Sequence, residues 1–338
     1  KERQELILAQ MLEQGMIDQA THDAAVAEEL NYRPYEDYVE DVGEPYTYFT
    51  DAVINDVIDD LVEQKGYSET VATNMVYSGG LRIYATIDTS IQNILDQVWA
   101  DDSVFPNTEK YGERPQSAMV ITDKVGNIVG IAGGRGEKTG KRGFSYATDA
   151  RRQPGSSFKP LSTYGPAMDQ GVVVPSTTVY DRALREDENG MPWPMNDGKY
   201  PTGRSMTVKS GITSSVNTIA VQVLNALTPQ KSYDFLTQQL DIQLVGSRTN
   251  ADGTVQSDID LAPLALGGLT DGVTVREMAG GFATFINEGV FGGTRTYTKA
   301  LDSEGNVVLE NTPYTDKGFT NVRTAYYMLD CMQNVTAY

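Results

Sequence analysis

Residues 151–160, with the sequence RRQPGSSFKP, constrain the fold of this chain more than any other segment. Pro154 and Gly155 are typical of a turn, and the apolar and small residues after the segment favour a helix. Ser156 then lies at the start of this helix, with Lys159 three residues later on the same face. We therefore expect the serine hydroxyl and the lysine amine to meet where the helix begins.

These two side chains match a nucleophile and its base. A neighbouring base that takes the serine proton makes the oxygen nucleophilic, and a partly desolvated lysine can do so without a histidine. Backbone N–H groups at the helix start would point toward an oxyanion forming on an acyl carbon. The simpler interpretation is that Ser156 caps the helix and Lys159 is a solvated charge. About one S-x-x-K is expected by chance in a chain of this length, so the motif alone leaves both interpretations open.

A second motif, Ser215-Val216-Asn217, lies between an amphipathic run and an apolar run. It is the only S-x-N in the chain, and residues 156–159 are the only S-x-x-K. The two motifs in this order are typical of penicillin-binding proteins and class A β-lactamases. The chain resembles the transpeptidase domain of class A (bifunctional) penicillin-binding proteins. The resemblance extends to GGR, ATDA and RRQPGSSFKP around the serine, and to LGG with GVTVREMAGGFATFINEG after S-x-N.

The resemblance implies a fold and a set of roles. The implied fold is α/β of the α+β type, the penicillin-binding/β-lactamase-like fold, with a central antiparallel sheet flanked by helices. Ser156 would be the nucleophile and Lys159 its base. Ser215 would pass a proton to the leaving amine, and Asn217 would bind Lys159 or the substrate amide.

A loop rich in proline and glycine, MPWPMNDGKYPTG, precedes the S-x-N motif. In the family that the chain resembles, this loop borders the substrate groove. The resemblance therefore implies that Trp193, Asn196 and Tyr200 bind substrate, while simple loop packing of Trp193 is the alternative.

The implied activity is D,D-transpeptidation, the cross-linking of peptidoglycan stem peptides through a serine acyl-enzyme that β-lactams also form. One alternative is a β-lactamase-like hydrolase, which needs a group to activate the deacylating water. The expected glutamate loop would fall at 236–262, and that segment contains no glutamate. The other alternative is a non-catalytic module that recognises penicillin.

Composition excludes several other classes. The net charge of −19 argues against nucleic acid, because no basic stripe is present to neutralise phosphates. A single cysteine, Cys331, excludes an internal disulfide and a cysteine-based zinc site. The single histidine, His22, lies in a polar stretch far from the two motifs, which argues against a Ser-His-Asp triad. We expect no metal and no cofactor.

At 338 residues the chain is long enough for about two domains. The resemblance assigns residues 1–40 to the tail of a glycosyltransferase domain, 41–110 to an interdomain linker and 111–338 to an incomplete transpeptidase domain. Hydrophobic spacing predicts two helices separated at Gly15 in the first part. It also predicts a strand at 81–88, a helix from Thr89, a hairpin of strands at 116–123 and 127–132, one helix holding S-x-N within 206–228, and a last helix at 320–338.

Lys138-Thr139-Gly140 spells K-T-G, but it precedes S-x-x-K in a glycine-rich loop. In the family, K-T-G follows S-x-N on a strand that lines the site, so we interpret this copy as a coincidence. No K-T-G follows Asn217 in the sequence. The resemblance implies that the protein continues past Tyr338 with strands that carry K-T-G, and that this fragment alone is inactive. It also implies a membrane anchor upstream, at the extracytoplasmic face of a bacterial membrane.

Overall fold

The computed structural model describes residues 2–13, 15–28, 46–106 and 114–337. By internal contacts the chain divides into two compact units, Lys1–Pro45 and Tyr46–Tyr338. Several parts of the predicted organisation lie outside the described residues: 29–40 of the tail, 41–45 and 107–110 of the linker, and 111–113 of the transpeptidase domain. None of the helices in the described ranges is long and apolar enough to cross a membrane.

The first unit contains the helices α1 (Glu2–Glu13) and α2 (Gln19–Ala27). Gly15 separates them with a φ of +70°, a conformation that glycine adopts without steric cost. Asp18 caps α2 by accepting a hydrogen bond of 2.8 Å from the Thr21 N–H. The predicted pair of helices is therefore confirmed.

The helices of the second unit begin and end at residues that the sequence supplies for this purpose. Thr47 caps α3 by accepting from the Thr50 N–H, and Gly66 ends it in the left-handed conformation. Thr274 and Glu277 form a capping box at the start of α11. The α-helices are α3 (Tyr48–Lys65), α4 (Glu69–Ser78), α5 (Thr89–Ala100), α6 (Gly165–Asp169), α7 (Val208–Thr213), α8 (Asn217–Leu227), α9 (Pro229–Gln239), α10 (Leu261–Leu266), α11 (Val275–Ile286) and α12 (Val322–Thr336).

Every pair of strands in the described residues is antiparallel. The strands are β1 (Arg82–Ala85), β2 (Met119–Thr122), β3 (Ile128–Ala132), β4 (Thr178–Tyr180), β5 (Arg185–Glu186), β6 (Pro192–Trp193), β7 (Ser205–Thr207), β8 (Arg248–Thr249), β9 (Val255–Gln256), β10 (Tyr297–Leu301) and β11 (Val307–Glu310). One sheet has the order β1-β10-β11, and the others are the pairs β2-β3, β4-β7, β5-β6 and β8-β9. The predicted class of helices with antiparallel strands is confirmed, and so is the hairpin of β2 and β3.

Two hydrophobic clusters form the core of the second unit. The first surrounds the segment that follows Ser156, where Phe158, Leu161 and Tyr164 are almost completely buried against α8 and α10. Burial of these three side chains fixes the segment, because each contributes about 1.5–3 kcal/mol relative to exposure. The serine therefore stands on a rigid support.

The second cluster joins α3 to the sheets. Val57 and Leu61 of α3 pack with Ile131 of β3 and Tyr297 of β10, and all four are completely buried. Helix α3 belongs to the predicted linker, so this part of the linker shares a core with residues of the predicted transpeptidase domain. The boundary at residue 110 stays a prediction.

The prediction of one helix across the S-x-N motif is wrong. Helix α7 ends at Thr213 and α8 begins at Asn217, which leaves Ser215 in the break between them. The φ of Ser215 is +50°, outside the helical region, so the backbone turns there. The break places the motif at the start of a helix.

Candidate active site

The segment that holds Ser156 and Lys159 is a helix of changing pitch. Gly155–Phe158 forms a 3₁₀ turn, Pro160–Tyr164 a π-helical turn, and α6 follows. The Lys159 N–H donates to the Ser156 carbonyl, the i to i+3 bond of a 3₁₀ turn. In such a turn residues i and i+3 eclipse each other, so the two side chains share one face as predicted. Ser156 is exposed, whereas Lys159 is buried.

Gly267 holds the turn that precedes Ser156. Gly155 has a φ of +57°, and its N–H donates to the Gly267 carbonyl at 3.3 Å. A Cβ on Gly267 would lie 2.1 Å from the Gly155 carbonyl oxygen, so only glycine allows this approach. The Leu-Gly-Gly segment, which is one of the segments that carry the family resemblance, therefore supports the start of the helix that holds Ser156.

Among the described residues, the Lys159 amine has three hydrogen-bonding contacts, all with the S-x-N motif. Its Nζ donates to the Ser215 carbonyl at 3.0 Å and to the Asn217 Oδ1 at 2.7 Å, and it lies 3.2 Å from the Ser215 Oγ. All three partners are neutral. Burial, with 3% of the residue exposed, lowers the pKa of Lys159 to about 8.

The same contacts suit both protonation states of the amine. The carbonyl and Oδ1 only accept hydrogen bonds, whereas the Ser215 hydroxyl can accept one from an ammonium or donate one to a neutral amine. Proton gain or loss at Lys159 therefore requires only a rotation of the Ser215 hydroxyl. The positive φ of Ser215 turns both its carbonyl and its hydroxyl toward this one amine.

Asn217 is held at both ends of its amide. Its Oδ1 accepts from Lys159, and its Nδ2 donates to the Met195 carbonyl at 2.9 Å. The network thus fixes which end of the amide faces the lysine. The structure brings together Lys159, Ser215 and Asn217, three of the four predicted catalytic residues. The fourth, Ser156, lies on the same turn as Lys159. Within the described residues no hydrogen bond joins its hydroxyl to the lysine amine, so the expected contact between these two groups is not seen.

The two adjacent serines differ in their contacts. The Ser157 hydroxyl donates to the Pro154 carbonyl at 2.6 Å. Within the described part of the chain, the Ser156 hydroxyl makes no side-chain hydrogen bond, and it is exposed. Ser156 is therefore the serine that is free to react.

The predicted substrate-binding residues lie in one loop but in different surroundings. Trp193 is half-buried against the first hydrophobic cluster, with the Arg185 guanidinium 4.7 Å from its ring centroid. Tyr200 is exposed, and its hydroxyl contacts the Met191 sulfur at 3.9 Å.

Asn196, the third predicted substrate-binding residue, is engaged within the protein. Its Oδ1 accepts from the Thr218 N–H at 3.1 Å, and its Nδ2 donates to Asp181 at 2.7 Å. Asn196 thus supports the start of α8, and its direct contact with substrate stays a prediction. Sequence reasoning missed Asp181, whose only signal was a carboxylate directly after the short strand β4.

The amine of Lys138, in the early K-T-G, contacts residues other than those around Lys159. Its Nζ lies 2.8 Å from the Asp51 carboxylate of α3 and 5.3 Å from the centre of the Tyr48 ring. Neither of these residues contacts the amine of Lys159. These contacts suit the interpretation that this K-T-G is a coincidence.

Comparison with known proteins gives the same class. The family described as "Penicillin binding protein transpeptidase domain" matches residues 116–331. This chain belongs to that family. It is 30% identical over 349 residues to penicillin-binding protein 1A of Clostridium acetobutylicum, covering 98% of this chain and 41% of that protein. It is also 30% identical over 336 residues to penicillin-binding protein 1F of Bacillus subtilis, covering 99% and 42%. The chain thus spans about two-fifths of these relatives.

Solved structures support the fold. PonA1 of Mycobacterium tuberculosis in complex with penicillin V superposes with a TM-score of 0.62 at 20% identity, over 84% of this chain and 70% of that chain. Penicillin-binding protein 1A of Haemophilus influenzae gives 0.59 at 17% identity, over 99% and 63%. At these identities the likeness shows that the chain has the fold of penicillin-binding proteins.

Proposed function

We propose that this chain is the transpeptidase part of a D,D-transpeptidase that cross-links peptidoglycan through a serine acyl-enzyme. The buried Lys159 amine is the observation that carries the proposal. It lies on the turn of the exposed Ser156, and among the described residues its hydrogen bonds go to Ser215 and Asn217. This is the arrangement that a histidine-free serine nucleophile requires.

In the first step the Ser156 Oγ attacks the acyl carbon of a stem peptide, and its proton moves to the neutral Lys159 Nζ. With a pKa of about 8, roughly a tenth of the lysine is neutral at pH 7, which is sufficient for general base catalysis. N–H groups at the start of this helix would point toward the developing oxyanion.

In the second half of that step, the bond to the leaving amine breaks and the amine needs a proton. The Ser215 hydroxyl, 3.2 Å from the lysine, passes one on and regains one from Lys159. An amine from a second stem peptide then attacks the acyl-enzyme and forms the cross-link. The reverse proton path returns Ser156 to its starting state.

The substrate would be a stem peptide ending in D-Ala-D-Ala, and β-lactams would acylate the same serine. The names of the relatives and the complex of PonA1 with penicillin V support this assignment. Trp193, Asn196 and Tyr200 would border the groove. The protein would act at the extracytoplasmic face of a bacterial membrane, with residues 1–40 as the tail of a glycosyltransferase domain.

The test is covalent labelling of the full-length protein with a fluorescent penicillin. We expect Ser156→Ala to abolish labelling, because the nucleophile is lost, and Ser157→Ala to keep it as the matched control. Intact mass should show one added β-lactam per chain. Labelling that survives Ser156→Ala would overturn the assignment, and rapid turnover of nitrocefin would indicate a β-lactamase instead.

A further inference from the structure

Asp181 lies buried at the end of β4, with 2% of the residue exposed. Its side chain accepts four hydrogen bonds. Oδ1 receives the Thr218 hydroxyl and the Asn196 Nδ2, both at 2.7 Å. Oδ2 receives the Thr202 N–H at 2.9 Å and the Thr202 hydroxyl at 2.7 Å. One carboxylate therefore joins the start of α8 to the loop of the predicted substrate groove.

Only an ionised carboxylate can accept all four bonds. Burial alone would raise the pKa of Asp181, but the hydrogen bonds from Thr218, Thr202 and Asn196 hold it below its usual value. An amide in the same place presents one oxygen and one NH₂ group, so half of the acceptor capacity is lost.

Hydrogen bonds lead from this carboxylate to the lysine amine. Asn196, held by Asp181, accepts from the Thr218 N–H at 3.1 Å, and Thr218 directly follows Asn217. The neighbouring Met195 carbonyl accepts the Asn217 Nδ2 at 2.9 Å, which turns the Asn217 Oδ1 toward Lys159 at 2.7 Å. Both segments that fix the Asn217 amide are thus tied to one carboxylate.

We propose that Asp181 is a positioning residue for acylation, which holds the Asn217 amide against the Lys159 amine by fixing the groove loop to the start of α8. The proposal rests on the function proposed above. Asp181 contacts neither lysine nor serine of the site, so its effect passes through Asn217.

This role has a consequence that loss of stability alone does not have. The Asn217 Oδ1 accepts a stronger hydrogen bond from an ammonium than from a neutral amine, so it favours protonated Lys159. When Asp181 no longer fixes the amide, this preference weakens and the pKa of Lys159 falls. The pH midpoint of acylation should therefore move below its wild-type value.

The experiment measures the pH profile of acylation by fluorescent penicillin in the full-length protein. We expect Asp181→Asn to slow the plateau rate by up to about tenfold, no more than loss of the Asn217 amide itself, and to lower the pH midpoint of acylation. In an Asn217→Ala background the same substitution should have little further effect. Thr218→Val removes one hydrogen bond to Asp181 and keeps the side-chain shape. It should lower the acylation rate and the pH midpoint by less than Asp181→Asn does. It replaces Asp181→Asn in the test if that variant does not fold.

The matched control is Asp169→Asn. Asp169 accepts four bonds, from Thr320, Asn321 and Thr324, at the start of α12. Among the described residues, Asp169 bonds none of the residues that bond Lys159. The acylation rate per folded molecule and the pH midpoint of acylation should therefore not change in Asp169→Asn. The proposal is overturned if Asp181→Asn keeps the wild-type pH midpoint of acylation. It is also overturned if the rate loss of the double variant equals the product of the losses in Asp181→Asn and Asn217→Ala.

A second readout separates this inference from the proposed function. The Lys159 amine can be titrated by NMR in lysine-labelled protein, with Lys159→Met to assign the signal. Asp181→Asn should lower that pKa whether or not penicillin acylates the protein. Absence of labelling in the wild type would overturn the proposed function, whereas an unchanged Lys159 titration in Asp181→Asn would overturn the positioning role.

Discussion

Two lysines of this chain stand in sequences that suggest the same chemistry, yet their surroundings differ. Lys159 of S-x-x-K is buried, and its amine bonds neutral groups of Ser215 and Asn217. Lys138 of the early K-T-G forms an ion pair of 2.8 Å with Asp51. In the part of the chain that the structure describes, Lys138 therefore has a counter-ion and Lys159 has none.

The two surroundings act differently on the amine. Burial disfavours the charged form and brings the pKa of Lys159 to about 8. The ion pair of Lys138 with Asp51 instead brings two opposite charges together. Three experiments test whether this difference in neighbours separates the two sites.

The largest effect is expected from arginine at the two positions. Arginine keeps the positive charge but does not deprotonate in proteins, so Lys159→Arg removes the proposed base. We expect the acylation rate to fall by about 10²–10⁴, the usual contribution of general base catalysis. Lys138→Arg keeps the ion pair with Asp51 and should acylate as the wild type does. Near wild-type acylation by Lys159→Arg would mean that the lysine acts only through its charge.

The second effect concerns stability and pH. The pKa of Lys159 is about 8 in the folded protein against an ordinary 10.5. Below pH 8 the amine is charged in both states, and folding bears the cost of the buried charge. Between the two values the unfolded state binds more proton, so the free energy of unfolding rises with pH. At about 1.4 kcal/mol per unit, the rise attributable to Lys159 is about 3 kcal/mol.

Chemical denaturation of wild type and Lys159→Met at several pH values measures this rise. The variant lacks the titrating amine, so the difference in unfolding free energy should shift in favour of wild type as the pH increases above 8. Lys138→Met should be destabilised at neutral pH because Asp51 loses its counter-ion. Parallel pH curves for wild type and Lys159→Met would contradict the lowered pKa.

The smallest effect is expected from the partners of the two lysines. Asn217→Ala removes one hydrogen bond to a charged group, and we expect acylation to slow about tenfold with little loss of stability. Asp51→Asn should lower the free energy of unfolding by about 1–3 kcal/mol and leave acylation nearly unchanged. Labelling rates and thermal unfolding of both variants measure these effects on acylation and on stability. A large thermal loss with normal acylation in Asn217→Ala would make that residue structural.

Local sequence predicted most elements of this fold. The hairpin of β2 and β3, the helix from Thr89 and the last helix follow from hydrophobic spacing and turn residues, which act over a few residues. The interruption between α7 and α8 at the S-x-N motif did not follow from hydrophobic spacing. Apolar residues continue at helical spacing through it, and the positive φ of Ser215 is held by contacts with a segment 56 residues away in sequence.

The two motifs and the segments around them are enough to identify the family and to pair Ser156 with Lys159 on one face of a turn. The protonation of the lysine follows from the folded chain alone, because its pKa depends on burial and on neighbours that come from another helix. The structure also decided that Asn196 is tied to Asp181 and the start of α8. A side chain's partners across the fold set its protonation and orientation, and no local pattern records them.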